Sequence, residues 1–387
     1  MLTKAALMEH FDEVVTDPSV RLKDVEEHVA RLTGPEKFHN RYWVCTTGGT
    51  TGRRGVFLFN FWEWTSIISS YARSEDWGGA QAGLMKRMRL AVVSSTAPWH
   101  QSARVGATVS SWWVPTLRID AAEKISLMVE KLNEWQPEAL VGYPSVLAPL
   151  AAEQLAGRLT VRPRSVFSAS EVLTEETRQR IEQAWGTQPF NVYGATETAT
   201  IASDCEYYRM HLFEDLVITE VVDEQARPVP PGTFGSKVLV TVLFSRTLPL
   251  IRYEMSDSIA VSTDTCPCGR VFRLVQGIQG RAEDVLWMPG RSGSLVQVHP
   301  NLFHRVMESL ADGEWQIVQT APDELRVLIT GSKEDTISIG QRIGDELLAS
   351  GIAHPKVTAE VVEAIPRTAA SKAPLIRSEV KNQGKAK

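Results

Sequence analysis

From Leu90 to Phe244, short apolar runs recur at lengths that suit strands: Leu90 to Ser94, Ala139 to Gly142, Ser165 to Phe167, Phe190 to Tyr193, and Lys237 to Phe244. Between them lie stretches with helical spacing. In Ala121 to Trp135 the apolar positions Ile125, Met128, Val129 and Leu132 recur three and four apart, which predicts the buried face of a helix. A second helix is expected from about Thr174, with Glu175 and Glu176 in its first turn, where the helix dipole favours acids, and Gly186 after its end. Strands alternating with helices predict an α/β sheet. Glycine and proline gather at Arg227 to Gly235 and at Met288 to Gly293, so both are loops, and the second is the expected hinge region. Beyond it, Trp315 to Gln319, Leu325 to Thr330 and Val357 to Val362 read as strands around a helix from Asp335 to Ser350. The pattern predicts a large α/β domain over 1–280 and a small α+β domain over 281–387.

Composition agrees with two domains, since 387 residues exceed what one core usually organises. At 43% hydrophobic and 22% charged residues the chain can bury a sizeable core, which decides against disorder. A net charge of -5 gives no field attractive to nucleic acid, and the one dense basic stretch, Lys381 to Lys387, reads as a solvated tail. Glu9 arrives before any apolar run long enough for a signal peptide, and no stretch of about 18 apolar residues follows. A cytoplasmic protein with no membrane partner is expected. Four cysteines in a reducing compartment are poor evidence for disulfides, so clustering among them points to metal or to chance.

Thr46-Thr47-Gly48-Gly49-Thr50-Thr51-Gly52-Arg53-Arg54-Gly55 follows the apolar run Tyr42-Trp43-Val44. Glycines let backbone N–H groups approach phosphate oxygens and threonine hydroxyls add donors, although by itself the segment is equally a tight glycine turn. It lacks the Gly-Lys-Ser/Thr of the nucleoside-triphosphatase loop. Tyr193-Gly194-Ala195-Thr196-Glu197 closes a predicted strand and sets a hydroxyl and a carboxylate at its C-terminal end, where open α/β sheets bind ligands. There Glu197 could hold Mg²⁺ against a triphosphate, although taken alone it is more often an ordinary loop acid.

Together these segments resemble the adenylate-forming superfamily, and the resemblance runs over nearly the whole chain in six ordered matches. Thr47, Gly48, Gly49, Thr50, Thr51 and Gly52 match its phosphate loop. Tyr193 to Glu197 match its Tyr-Gly-x-Thr-Glu segment, whose threonine and glutamate contact the α-phosphate and magnesium. Ala169-Ser170-Glu171 is similar to the stretch against which adenine packs, and Arg252 to Asp257 to the segment whose aspartate, here Asp257, grips the ribose. Gly280-Arg281-Ala282-Glu283-Asp284 resembles the hinge, with Arg281 its arginine and Glu283 its pivot. Pro366 to Lys372 match the loop carrying the catalytic lysine, here Lys372. The family's small domain is mobile and rotates about the hinge after adenylation.

The phenylacetate-CoA ligase branch is singled out by Cys205 and His211 together with Cys266-Pro267-Cys268-Gly269-Arg270. Three thiolates and one imidazole suffice for a closed tetrahedral zinc site, which would be structural because no position stays open for substrate. The plain alternative is buried free cysteines with a surface histidine.

The resemblance implies ATP, Mg²⁺, structural Zn²⁺ and CoA, and a carboxylic acid activated as its acyl-AMP. With eleven tryptophans in the chain, Trp99-His100, Trp112-Trp113 and Tyr143-Pro144-Ser145 offer aromatic walls suited to an aryl acid, with His100 near the reacting carboxylate, although most such tryptophans are core residues and a lone histidine is more often structural. Amine, hydroxyl or carrier-protein acceptors, nitrite activation for diazotisation, and a silent nucleotide-binding protein are the competing readings. Only about 45 residues precede the phosphate loop, Arg53-Arg54 stand where Pro-Lys is usual, and Ser371 replaces the glycine before Lys372. These departures suggest a specialised member, in a secondary-metabolite pathway.

Overall fold

The computed structural model describes the chain apart from residues 48–53, 83–85, 122, 282–285, 292, 299, 308–314, 331–335, 367–373 and 381–387. Two compact units emerge, one built from Met1–Ile278 and one from Gln279–Thr368 with Ala373–Lys387, so that the division falls inside the Leu274–Arg281 strand.

The first unit is organised by a nine-stranded sheet. From one edge its strands are Asp257–Ser262, Leu274–Arg281, Met210–Leu212, Ala199–Asp204, Phe190–Ala195, Ser165–Ala169, Ala139–Gly142, Leu90–Ser94 and Thr116–Asp120. The last five are parallel. Both expected helices form. Ile125–Trp135 buries Met128, Val129 and Leu132, packs Ile125 beside them, and ends at Gln136 in the left-handed region. Glu175–Trp185 starts where the Thr174 hydroxyl accepts from the Thr177 N–H at 3.2 Å, and stops at Gly186 with φ +70°. Lys237–Val242 departs from expectation. It pairs antiparallel with Val217–Val222 and Tyr253–Met255 in a separate three-stranded sheet, because a short apolar run marks a strand without saying which sheet takes it.

Helix Phe61–Trp77 opens with a capping box in which Asn60 and Glu63 satisfy each other's backbone N–H groups. Near its end stands Glu75, whose carboxyl burial pushes up to about 7. The folded state therefore keeps a proton on Glu75 that the unfolded chain releases above about 4.5, and stability falls as pH rises from there to about 7. Glu75→Gln is expected to melt above the wild type at pH 8, with the gap closing by pH 5. Melting curves that shift in parallel at both pH values would refute this.

The second unit holds a four-stranded sheet in the order Lys356–Val361, Glu324–Ile329, Trp315–Ala321, Ile376–Ser378, with helices Pro300–Met307 and Thr336–Ala349. Phe303, Ile317, Val327, Ile339, Ile343 and Leu347 share its core. Among the described residues no helix is long and apolar enough to cross a membrane.

Candidate active site and metal centre

Side chains of chemical interest collect where the parallel strands end. Ser94 is followed by Ser95, Gly142 by Tyr143, Ala169 by Ser170 and Glu171, and Ala195 by Thr196 and Glu197, while Asp120 ends the edge strand. Carboxyl ends of parallel strands are where an open α/β sheet leaves a crevice. Two tyrosines hold two acids there. The Tyr193 hydroxyl donates to Asp257 Oδ2 at 3.1 Å, and the Tyr253 hydroxyl to Glu197 Oε1 at 3.3 Å. Gly194 is required by the hairpin that presents Glu197: a Cβ there would lie 2.5 Å from the Ala199 carbonyl oxygen.

On the neighbouring strand end, Ser170 has φ +70°, and Glu171 Oε2 accepts from the Ser145 N–H at 3.0 Å. That bond ties the Ala169-Ser170-Glu171 stretch to the first turn of helix Pro144–Leu155, where exposed N–H groups favour an acid. His100 is buried, with Nδ1 2.6 Å from Ser95 Oγ, and the Ser95 N–H donates to the Tyr143 hydroxyl at 3.1 Å. Burial raises the Tyr143 hydroxyl above its ordinary value, keeping it protonated. Thr47 exchanges two bonds with Gly55, N–H to carbonyl at 3.0 Å and hydroxyl from N–H at 2.9 Å, which closes the base of the Gly/Thr-rich loop.

Trp112 and Trp113 do not join this group. The Trp113 carbonyl accepts from the Met88 N–H at 3.0 Å ahead of the edge strand Thr116–Asp120 and its neighbour Leu90–Ser94, so the pair sits at the amino ends of the sheet, 69% and 42% exposed. Aromatic content cannot say which end of a strand a loop serves. Gly48 to Gly52, Glu283 and Lys372 lie outside the described residues, and Arg281 is the last residue of its strand.

A second cluster lies beside the Ala199–Asp204 strand. Cys205 follows that strand, His211 lies in Met210–Leu212, and Cys266 and Cys268 occupy the turn before Leu274–Arg281. Their ligand atoms all fall within 4.8 Å of one another. Cys205 Sγ is 3.7 Å from Cys266 Sγ, and Cys268 Sγ is 3.2 Å from His211 Nε2. His211 Nδ1 stands 3.0 Å from the Phe272 carbonyl oxygen, an acceptor, so Nδ1 carries the proton and Nε2 presents its lone pair to the thiols. Burial pushes the Cys205 thiol up to about 11, a cost that a coordinated cation reverses by taking the thiolate. Donor type, number and separation fit tetrahedral zinc, with sulfur at about 2.3 Å and nitrogen at about 2.1 Å from the ion.

The sequence profile of AMP-binding enzymes matches residues 8–239. The chain belongs to the AMP-binding enzyme family. It is 26% identical over 322 residues to a phenylacetate-coenzyme A ligase of Thermus thermophilus, covering 79% of this chain and 69% of that one. Against Protein CapK of Staphylococcus aureus the identity is 25% over 366 residues, or 92% and 78% of the two chains. The crystal structure of 2-hydroxyisobutyryl-CoA ligase with 2-HIB-AMP, in the postadenylation state, superposes with a TM-score of 0.70 at 23% identity, over 95% of this chain and 81% of that one. Family, relatives and fold together make the protein an adenylate-forming ligase of the phenylacetate-CoA ligase-like branch.

Three polar groups of this AMP-binding enzyme had no signal in the sequence. Gln101 Nε2 donates to the Thr196 carbonyl at 3.1 Å, the Tyr71 hydroxyl donates to Gln101 Oε1 at 3.0 Å, and Tyr253 reaches Glu197. Helix spacing or strand alternation accounts for each position without its hydroxyl or amide.

Proposed function

We propose that the protein activates a carboxylic acid, an aryl acid by first choice, as its acyl-AMP at the expense of ATP and passes the acyl group to CoA. The observation carrying this reading is the pairing of Asp257 with Tyr193 and of Glu197 with Tyr253 at the carboxyl end of the parallel sheet. In the first step a carboxylate oxygen bonds to the α-phosphorus while the bond to pyrophosphate breaks. In the second, CoA sulfur bonds to the acyl carbon, AMP leaves, and the thiol proton is released. Asp257, aimed by Tyr193, accepts the ribose hydroxyls, and Ala169 to Glu171 face the adenine. Thr196 and the Thr47 to Gly52 loop hold the phosphates in line. Glu197, a half-buried oxygen donor, suits Mg²⁺, which when bound neutralises charge on the phosphates. Ser95 fixes the His100 ring beside the reacting carboxylate, and Lys372 supplies the cation for charge gathering on the α-phosphate. Cys205, His211, Cys266 and Cys268 hold a structural zinc ion. The aryl choice draws on the name of the Thermus relative, on the Trp99 ring edge-on to His100 and on Tyr143 at Ser95.

ATP–pyrophosphate exchange across aryl and aliphatic acids tests the reading. Exchange with an aryl acid, lowered about 10²–10³-fold by Lys372→Ala, is the expected result, from the worth of one charge-stabilising group. Exchange with aliphatic acids alone would reject the aryl choice, and undiminished exchange in Lys372→Ala would reject the role of that lysine.

A further inference from the structure

The Thr196-Glu197 pair has to face the nucleotide at a fixed angle, yet its hairpin continues straight into Thr198 and Ala199, the latter with φ +58°. Two side chains from distant parts of the chain grip it. From helix Gln101–Val109 the Gln101 amide, 6% exposed, donates to the Thr196 carbonyl. That carbonyl can only accept, so the amide nitrogen must face it, and the amide oxygen then points to the Tyr71 hydroxyl, which donates. From the other side, Tyr253, whose ring is buried, donates to the Glu197 carboxylate. The Thr196–Glu197 peptide plane is thereby set by Gln101 and the carboxylate by Tyr253. Gln101 also follows His100 directly, so one helix start orients both the phosphate-facing pair and the histidine.

We propose that Gln101 is a positioning residue for adenylation: oriented by Tyr71, it fixes the Thr196 carbonyl and so the direction in which Thr196 and Glu197 meet the nucleotide. This rests on the acyl-adenylate reading given above. A displacement of about 1 Å at reacting groups can cost on the order of 100-fold, so the removal of one such hold has a measurable effect. The Tyr71 hydroxyl donates to Gln101 while its ring packs against the core, so its polar effect on the site should run through Gln101 and the two residues should be energetically coupled.

A double-mutant cycle in the full-length protein is the test, with Gln101→Leu, Tyr71→Phe and the double variant. Gln101→Glu serves as a same-shape control that lacks the donor. Expected in pyrophosphate exchange are a 10–100-fold loss in kcat/KM for MgATP in Gln101→Leu and Gln101→Glu, with the acid KM within about twofold of wild type. Tyr71→Phe should cost severalfold alone and nothing further in the Gln101→Leu background. MgATP affinity by calorimetry reads the same variants without any acid, and a weakening of about fivefold or more is expected there. A wild type silent with every acid would count against the proposed activity while calorimetry still decides on Gln101. Unchanged MgATP affinity and exchange, or Tyr71 and Gln101 effects that simply add, would overturn the assignment, as would Gln101→Glu behaving like wild type.

Discussion

Protein purified without chelator is expected to carry one zinc ion per chain, and Cys266→Ala to lose both the ion and roughly 10 °C of thermal stability. Cys205, His211, Cys266 and Cys268 come from three separate stretches of chain, and their ligand atoms gather within 4.8 Å. Without a cation, three sulfurs and an imidazole packed against Trp77 and Leu274 would form an apolar pocket lined with weak hydrogen bonds. With one, they are bound at a site worth roughly 10–16 kcal/mol in small zinc domains. Here much of the surrounding sheet is independently packed, so a loss of about 5 kcal/mol is a fair expectation, equivalent to roughly 10 °C at about 2–4 °C per kcal/mol. The site also lies where it matters mechanically. His211 pairs with Leu274, so the ion would pin the turn between the Asp257–Ser262 strand, which starts at the acid proposed to bind the ribose, and the Leu274–Arg281 strand. Arg270, over the Trp77 ring at 4.4 Å and 2.6 Å from Glu206, closes the outer side. Metal analysis and melting of wild type and Cys266→Ala decide the matter. Less than a tenth of an equivalent of zinc in the wild type, or equal melting temperatures, would remove the metal from the account.

Much of this architecture was legible because its signals are local. Four of the five parallel strands are short apolar runs, Thr116–Asp120 with its Arg118 being the one the pattern does not mark, and the helix after Thr174 announces itself through its cap, its acidic first turn and Gly186. The residues proposed to face the nucleotide were singled out for a different reason. Tyr193 to Glu197 and Asp257 resemble a known family, and the structure then brought Tyr193 and Asp257, 64 positions apart, to 3.1 Å. What the sequence could not convey depends on tertiary partners. Trp112 and Trp113 look like pocket walls by composition, yet the loop that carries them precedes its strand and therefore opens at the wrong end of the sheet. Lys237–Val242 has the right pattern for a strand and the wrong sheet, since pairing partners are chosen by packing and not by local apolar content. Gln101 reads as a helix residue until Thr196, 95 positions away, is placed on its amide.

Glu63 belongs to the same group, and Glu63→Ala is expected to destabilise the protein by about 3–6 kcal/mol. In sequence Asn60-Phe61-Trp62-Glu63 is a helix start, where loss of the cap alone would cost about 1 kcal/mol. In the fold the carboxylate is 2% exposed and does more than close its own helix. Oε1 accepts from the Arg246 and Thr247 N–H groups, both at 2.6 Å and more than 180 positions away. Oε2 accepts from the Asn60 N–H at 2.6 Å and from the Thr247 hydroxyl at 2.7 Å. Alanine would strand three backbone donors, each costing about 1–3 kcal/mol when buried without an acceptor, with water at the partly exposed Asn60 and Arg246 groups keeping the total below the sum of maxima. Glu63→Gln is an informative intermediate. The single oxygen of the new amide can serve one pair of donors while its NH₂ opposes the other, so this variant should lose about half as much as the alanine. Urea unfolding checks both, with the midpoint expected to fall and the slope to stay unchanged, because the contact is lost without a change in compactness. The loop that Glu63 holds runs through Leu250 into Tyr253 and Asp257, so the same variants should also weaken MgATP binding, and the glutamine less than the alanine. Should Glu63→Ala unfold within about 1 kcal/mol of the wild type, the carboxylate would be an ordinary cap, and the tie between the helix and the loop leading to Asp257 would have to come from packing alone.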